Sequence, residues 1–509
     1  VHPVSEDDPT PVRLTDVAER AGVSRSTASR VINRSPSVSG TARDSVWQAV
    51  RELGYHADEA ARALARRRPG DGAPQDDRGG TSEPSDPPPG GPSLESIPRG
   101  FLWGAATSAH QYDGGNVASD FWELEQSAPG LFADPSGDAV DSRNRWAEDI
   151  ELAAALGYSA YRLSIEWARI EPARGRYSLA EREHYRAVIA RCRDHGLEPI
   201  ITLQHISHPA WFSRADGWRA PESADWFADY VAFVAPILDD VRYVATINEP
   251  NIVATLGEMG ELLRASDSRA AYAAISDRLS DSPGGLLGAA THRLPDDRVV
   301  AGLIRAHEAA RGVLRERTTC LVGWTVAMMG FEARAGFERE WAEASWMWED
   351  RFLEVGREDD WIGIHSFSAE IVGPDGPEGA PEGARTTQLG WSFRPDSVGI
   401  ALRRASAVAP GIPLIVTENG VATADDDERV EYLQGATAAL AAVLHEGVDV
   451  RGYLHWTFID NYEWASGYAV TFGLVAVDRE TFVRTPKPSA HWLGALARAS
   501  RQAGSPAAE

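Results

Sequence analysis

The strongest constraint on the fold is a change of pattern at Ile97. From there onward short apolar runs alternate with longer segments of helical period. The apolar runs fall at 101–106, 160–165, 199–203, 243–247, 321–327, 361–364, 413–417 and 452–458, and helical runs lie between them, for example at 181–195, 224–238, 300–316 and 429–446. Eight strand–helix units over about 400 residues suit an α/β (β/α)8 TIM barrel, here placed at 97–503. No short-period internal repeat is visible.

The preceding part of the chain is different. Residues 69–96 contain seven Pro and six Gly, with Leu94 as the one large apolar residue. Such a segment has too little apolar surface to fold alone, so it is expected to be a linker. As a flexible coil it would span roughly 30 Å. Residues 1–11 are expected to be disordered. Between them, 12–68 is helical and compact, a small all-α helix-turn-helix domain. Thr15 and Ser24 can each cap a helix, and Gly22 permits the tight turn between the helices. Val17, Ala18, Ala21, Val23, Ala28 and Val31 supply a small apolar seam, and a third helix at 41–53 brings Val46, Val50 and Leu53 beneath it. Arg25, Ser26 and Arg30 are then on the second helix, where they can meet base edges and phosphates.

Charge divides along the same line. The whole chain of 509 residues carries −25. The segment 12–68 holds eleven arginines against six acids, a net +5, which leaves −30 for the remainder. A small basic module on a large acidic body reads as a DNA-binding head with a body that repels DNA. No apolar run approaches the ~20 residues of a membrane span, so no membrane partner is expected. The N-terminus lacks the charged-then-apolar pattern of an export signal. Cys192 and Cys320 lie far apart and form no paired framework. A cytoplasmic location with free thiols is expected.

Two carboxylates stand out in the barrel. Glu249 lies in ThrIleAsnGluPro at 246–250 and Glu418 in ValThrGluAsnGly at 416–420. By position they follow strands four and seven, and side chains at the C-terminal strand ends of a barrel converge on one site. Cleavage of a glycosidic bond needs one carboxyl to protonate the leaving oxygen and a second across the sugar carbon. His307, in ArgAlaHisGluAlaAla, reads as a packed helix histidine. Neither metal-ligand spacing nor a phosphate-cradling glycine loop is found, so no cofactor and no metal is expected.

The head resembles the lac-repressor family of transcription regulators over about residues 13–66, through AspValAlaGluArgAlaGlyValSer, SerArgValIleAsn, SerProSerValSer and ArgGluLeuGlyTyr before AlaArgAlaLeu. The resemblance implies operator contacts from Arg25, Ser26 and Arg30, and a minor-groove wedge at Leu64 from a hinge helix. Ala57-Asp58 stands where that family usually has Pro-Asn. Residues 98–497 resemble glycoside hydrolase family 1, the β-glucosidase-like barrels, through PheLeuTrpGlyAlaAlaThrSerAlaHisGln at 101–111, TyrArgLeuSerIleGluTrp at 161–167 and AspAsnTyrGluTrp at 460–464. This resemblance implies Glu249 as acid/base, Glu418 as nucleophile, Arg162 holding Glu418 ionised, and Asn248 on the sugar 2-hydroxyl. It places Gln111, His205, Glu463 and Trp464 on the other hydroxyls and Trp456 as a stacking floor.

Some positions depart from the family pattern. Phe367 replaces the tyrosine that touches the nucleophile, Ile206 the aromatic after His205, and Asp113 a common glutamate. No lysine stands near Glu463, which favours an unphosphorylated sugar.

Three readings follow: a regulator whose barrel binds and hydrolyses a β-glycoside, a cytoplasmic β-glycosidase with a vestigial head, and a non-catalytic sugar sensor. The position of the barrel after a DNA-binding head, together with two intact carboxylates, favours the first. Heads of this kind read paired half-sites, so a homodimer formed through the barrel is expected.

Overall fold

In the computed structural model the described residues are 20–23, 41, 45, 46, 48, 49, 88–127, 129–256 and 294–503. The chain divides into two compact units, one built mainly from residues 1–82 and one containing the barrel. In the first unit Arg20 and Ala21 are helical and Gly22 turns with φ +68°, a left-handed value that glycine takes without strain. Val46 and Ala49 are helical and buried, as the third-helix reading requires of Val46. Thr15, Ser24, Arg25, Ser26, Arg30 and Leu64 lie outside the described residues.

The second unit is a closed barrel of eight parallel strands. They are β1 Leu102–Ala106, β2 Ala160–Ser164, β3 Glu198–His205, β4 Tyr243–Asn248, β5 Leu321–Met328, β6 Ile362–Ser366, β7 Leu414–Asn419 and β8 Val450–Trp456. Each strand pairs with its neighbours in chain order, and β1 closes the ring against β8. All eight apolar runs become strands, with ends moved by up to two residues. The outer helices are α1 Ser142–Leu156, α2 Leu179–Asp194, α3 Ser223–Val234, α4 Asp297–Arg317, α5 Glu338–Ser345, α6 Ser397–Val408, α7 Asp426–His445 and α8 Pro488–Ala503. Side-chain caps fix several starts: Ser178 accepts from the Glu181 N–H, Asp296 from those of Arg298 and Val299, and Asp425 from that of Asp427.

Strand residues alternate between two apolar layers, as the two-residue period demands. Ile200, Tyr243, Ala245, Ile415 and Leu454 form one cluster. Ile201, Val244 and Val416 join a larger one with Leu303 of α4, Leu402 of α6 and Leu440 of α7, between sheet and helices. His307 of α4 is fully buried; its Nδ1 lies 2.7 Å from Thr246 Oγ1 and its Nε2 3.0 Å from Asp359 Oδ1. It is the packed histidine the sequence suggested.

Residues 88–96, which composition assigned to the linker, have a defined place on the barrel. The Pro89 carbonyl accepts from Trp492 Nε1 and Gln434 Nε2, each at 3.0 Å, and Leu94 begins a short 3-10 turn packed on the core. Prolines that cannot donate still offer carbonyls, a contribution that a count of Pro and Gly does not reveal.

Close strand approach makes Gly104 of β1 irreplaceable. A Cβ there would lie 2.0 Å from the Ala160 carbonyl oxygen of β2. Gly104→Ala is expected to lower stability by about 1–3 kcal/mol through forced backbone displacement, read as a lower urea midpoint at unchanged slope. A midpoint equal to wild type would contradict this packing.

Candidate active site

Parallel pairing brings the C-terminal ends of the strands to one rim. The register sets His205 of β3 against Asn248 of β4, and His365 of β6 against Glu418 of β7. Arg162 enters from β2 and Trp456 from the end of β8. Gly420 lets β7 close on β8: a Cβ there would meet the Trp456 carbonyl oxygen at 2.1 Å. Glu249 follows β4 with φ +47° and ψ 59°, and its N–H donates to the Thr325 carbonyl at 2.8 Å. This left-handed backbone costs energy in a non-glycine residue, and it turns the Glu249 side chain into the barrel mouth. Ile206 is also left-handed, with φ +63°.

Arg162 is completely buried and organises the rim. Its guanidinium donates to Glu418 Oε1, to Asn248 Oδ1, and through Nε to Thr202 Oγ1 at 3.1 Å. It therefore joins β2, β3, β4 and β7. His365 Nδ1 lies 2.7 Å from Glu249 Oε1, and its Nε2 lies 3.5 Å from Glu418 Oε1. One atom each of Glu249, His365 and Glu418 lie within 4.8 Å of one another. Arg162 already compensates Glu418, and Glu249 already engages His365, so this spacing suits proton transfer better than a cation.

Gln111, His205, Trp456, Glu463 and Trp464 line the same pocket as Glu249, His365 and Glu418. Gln111 Nε2 donates to the Tyr462 carbonyl at 2.8 Å and reaches Glu463 Oε2 at 3.4 Å. The His205 and Trp456 rings are stacked at 5.8 Å. Trp464 stacks on His110 at 5.4 Å, and His110 Nε2 is 3.1 Å from Glu125 Oε1.

Among the described residues, four buried polar atoms from this site have no hydrogen-bond partner: His205 Nδ1, Asn248 Nδ2, His365 Nε2 and Glu463 Oε1. Buried polar atoms are seldom left unpaired. Three of these residues, His205, His365 and Glu463, line the one pocket, and Asn248 stands beside His205 in the strand register. A separate cavity lined by Asp120, His208 and Trp218 is different. There His208 Nδ1 lies 3.1 Å from Asp120, and Trp218 Nε1 donates to His208 Nε2 at 2.8 Å. Asp120, His208 and Trp218 satisfy one another there.

Burial and charge divide the carboxylates. Burial raises Glu249 to about 7, opposed by Arg162. Burial also pushes Glu418 above the usual carboxylate range, while His365 and Arg162 pull it down and Glu249 adds to the rise. The resemblance has Arg162 holding Glu418 ionised; the contact is present, and burial acts against it. Glu463 is held well above its usual range by burial, opposed by a hydrogen bond from Trp456. Burial brings His365 down to about 3 and His205 well below the ordinary histidine value, so both rings are neutral at pH 7.

Sequence reasoning missed several pocket residues. His365, Met328, Met329, Glu370 and Trp391 all line it. His365 sits in GlyIleHisSerPhe at the end of β6, where a polar residue after an apolar run was a readable sign. Met329, Glu370 and Trp391 stand on loops beyond the strand ends, where no local pattern marks the pocket. Phe367 packs on Trp391 at 6.1 Å and Phe472 at 5.7 Å, so an aromatic wall stands where the resemblance expected a phenol.

The barrel with its paired carboxylates is that of a glycoside hydrolase. The family model for glycosyl hydrolase family 1 matches residues 93–276 and 375–502, and the chain belongs to that family. The model for bacterial regulatory proteins of the lacI family matches residues 13–58. The chain is 28% identical to β-glucosidase A of Thermotoga maritima, over 79% of this chain and 97% of that protein. It is 32% identical to thermostable β-glucosidase B of Thermobispora bispora, over 79% and 91%. The solved structure of β-glycosidase BGL167 is 41% identical, with a TM-score of 0.71, covering 81% of this chain and 99% of that one. Between the two matched stretches of the hydrolase model lies the part that carries His365, Phe367 and Glu370.

The raised Glu249 pKa has a consequence for stability. A carboxyl raised from 4.5 to about 7 by folding penalises the native state once it must ionise. Below the unfolded value both states are protonated and the penalty is absent. It grows as pH rises through that window and is complete above about 7. Glu249→Gln is therefore expected to be more stable than wild type by about 1–3 kcal/mol at pH 8, and equal to it near pH 4. Paired denaturant titrations at the two pH values check this; a constant difference would contradict it.

Proposed function

We propose that this chain is a DNA-binding transcription regulator whose barrel binds an unphosphorylated β-glycoside and hydrolyses it with retention. The observation that carries the catalytic part is the inequality between the two carboxyls. Glu418 is in contact with Arg162, whereas no arginine among the described residues is bonded to Glu249, which is raised to about 7. Glu418 then ionises first and serves as nucleophile, while Glu249 keeps its proton as general acid. Their oxygens approach within 4.8 Å, in keeping with the ~5–5.5 Å of retaining sites rather than the ~6.5–9.5 Å of inverting ones.

In the first step Glu418 attacks the anomeric carbon as Glu249 gives its proton to the departing glycosidic oxygen. The products are a glycosyl ester on Glu418 and the free aglycone alcohol. In the second step ionised Glu249 takes a proton from water. The hydroxide adds at the anomeric carbon, and Glu418 is released as carboxylate. Asn248 Nδ2, His205 and Glu463 are the groups for the sugar hydroxyls, with Gln111 beside Glu463, and Trp456 and Trp464 supply the apolar faces. The pocket offers carboxylates at Glu249, Glu370, Glu418 and Glu463. Lys487 is occupied by Asp460 and the Gly473 carbonyl. That balance of charge supports a neutral sugar over a phosphorylated one.

The lacI-type head supports an operator as the second partner, with Arg25, Ser26 and Arg30 as base and phosphate contacts, Thr15 and Ser24 as helix caps, and Leu64 as the hinge wedge. The protein acts in the cytoplasm as a homodimer that joins through its barrels.

Glu418→Gln is expected to abolish cleavage of aryl β-glucosides while leaving the fold intact. Glu249→Gln should lower the rate by about 10²–10⁴-fold, least for the best leaving groups. Wild-type protein that cleaves no aryl β-glucoside or β-galactoside at high enzyme concentration would overturn the hydrolytic reading.

For the head, Arg30→Ala should weaken selected over random DNA by about 1–3 kcal/mol, and binding should fall steeply with salt. Equal affinity for selected and random DNA would overturn the regulatory reading. Light scattering of the full chain reports pairing; a monomer at micromolar concentration would contradict the dimer.

A further inference from the structure

We propose that His365 is a positioning residue for hydrolysis: its Nδ1–H donates to Glu249 and holds that carboxyl ready to act as the base of the second step. The inference rests on the hydrolytic reading above.

The ring is buried without exposure, at the end of β6. Each of its nitrogens faces one of the two carboxyls, Nδ1 at 2.7 Å from Glu249 Oε1 and Nε2 at 3.5 Å from Glu418 Oε1. A neutral imidazole has one proton and must place it on one nitrogen. The short contact is the one to Glu249, and Nε2 has no hydrogen-bond partner. Nδ1–H is therefore the tautomer that makes a good bond. It leaves Glu249 Oε2 free to face the glycosidic oxygen.

The reaction makes this bond matter unevenly. In the first step Glu249 is neutral, and the Nδ1–H bond to it is an ordinary one. In the glycosyl-enzyme Glu418 is an ester and Glu249 carries the site's negative charge. The Nδ1–H bond is then charge-assisted and stronger. His365 thus favours the ionised form of Glu249 at the stage when a base is needed, and works against the rise that burial imposes. The other charged or titratable groups of this site are Arg162 from β2, His205 from β3, Glu418 from β7, and Glu370 and Glu463 from the loops after β6 and β8. Arg162 bonds to Glu418 and Asn248 rather than to Glu249. Among the described residues His365 is the one side chain bonded to the Glu249 carboxylate.

The test compares wild type with His365→Phe, which keeps a ring and removes the donor, and His365→Asn, whose amide N–H can donate from near the Nδ1 position. His365→Leu repeats the donor loss should the larger ring disturb folding, judged by the thermal melt. Glu249 titration is read in two ways: from the alkaline limb of kcat/KM with an aryl β-glucoside, and from the infrared carboxylic-acid band that Glu249→Gln removes. The second reading needs no turnover.

Loss of the donor is expected to move both readings to higher pH by about one unit, the scale of one charge-assisted hydrogen bond. It should also slow kcat by about tenfold, on the same scale, for a dinitrophenyl glucoside, whose second step limits the rate. His365→Asn should restore both. Cleavage with both readings unmoved in the folded Phe or Leu variant overturns the role of His365. Absence of cleavage with a shifted infrared band overturns the hydrolytic reading and leaves the Glu249–His365 bond standing.

Discussion

The rim of this barrel depends on one buried cation. Arg162 is fully enclosed, and a guanidinium in such a place is tolerable only when its donors meet acceptors and its charge meets a carboxylate. Glu418, Asn248 and Thr202 provide these from β7, β4 and β3. Loss of the Glu418 side chain would leave a buried charge uncompensated, and loss of Asn248 or Thr202 a buried donor unpaired. The network therefore fixes side chains from four strands at once, and with them the place where a sugar can sit. It also creates the asymmetry on which the proposed chemistry relies, since the guanidinium can satisfy only one of the two carboxyls closely.

The remaining side chains complete this arrangement. Among the described residues Glu249 is bonded to His365 and to no arginine, so its ionised form is less supported than that of Glu418. Burial raises both carboxyls. The unpaired polar atoms of Asn248, His205, His365 and Glu463 represent a cost that a solitary barrel has no reason to bear. Hydroxyl groups of a bound sugar would relieve it. The stacked His205–Trp456 pair and the Trp464 face supply apolar surface beside those donors and acceptors, the mixture that a sugar ring presents in return.

Much of this was legible in the chain before any coordinates. Alternation of apolar runs and helical segments marked all eight strands, because a parallel barrel strand is buried on both faces and reads as an uninterrupted apolar run. Glu249 and Glu418 were visible because strand ends on one rim converge. His365 was passed over because a single histidine at a strand end is ambiguous until the register sets it against Glu418. Met329, Glu370 and Trp391 depend on loop paths that no periodicity encodes. The role of residues 88–96 was hidden for a related reason: their anchoring uses backbone carbonyls, which every sequence has. The balance at Glu418 required burial to be known, since the sequence shows the neighbouring charge but not the exclusion of water.

In the proposed reaction Glu418 becomes covalently bonded to sugar during turnover. Incubation with an activated 2-deoxy-2-fluoro-β-glucoside, which slows the second step more than the leaving of a good aglycone, should trap that ester. A mass increase of one fluorosugar per chain is expected, located by proteolysis on the peptide that contains Glu418 and absent from Glu418→Gln. Hydrolysis of the natural-configuration glycoside without any such adduct, or an adduct on Glu249 or elsewhere, would contradict it.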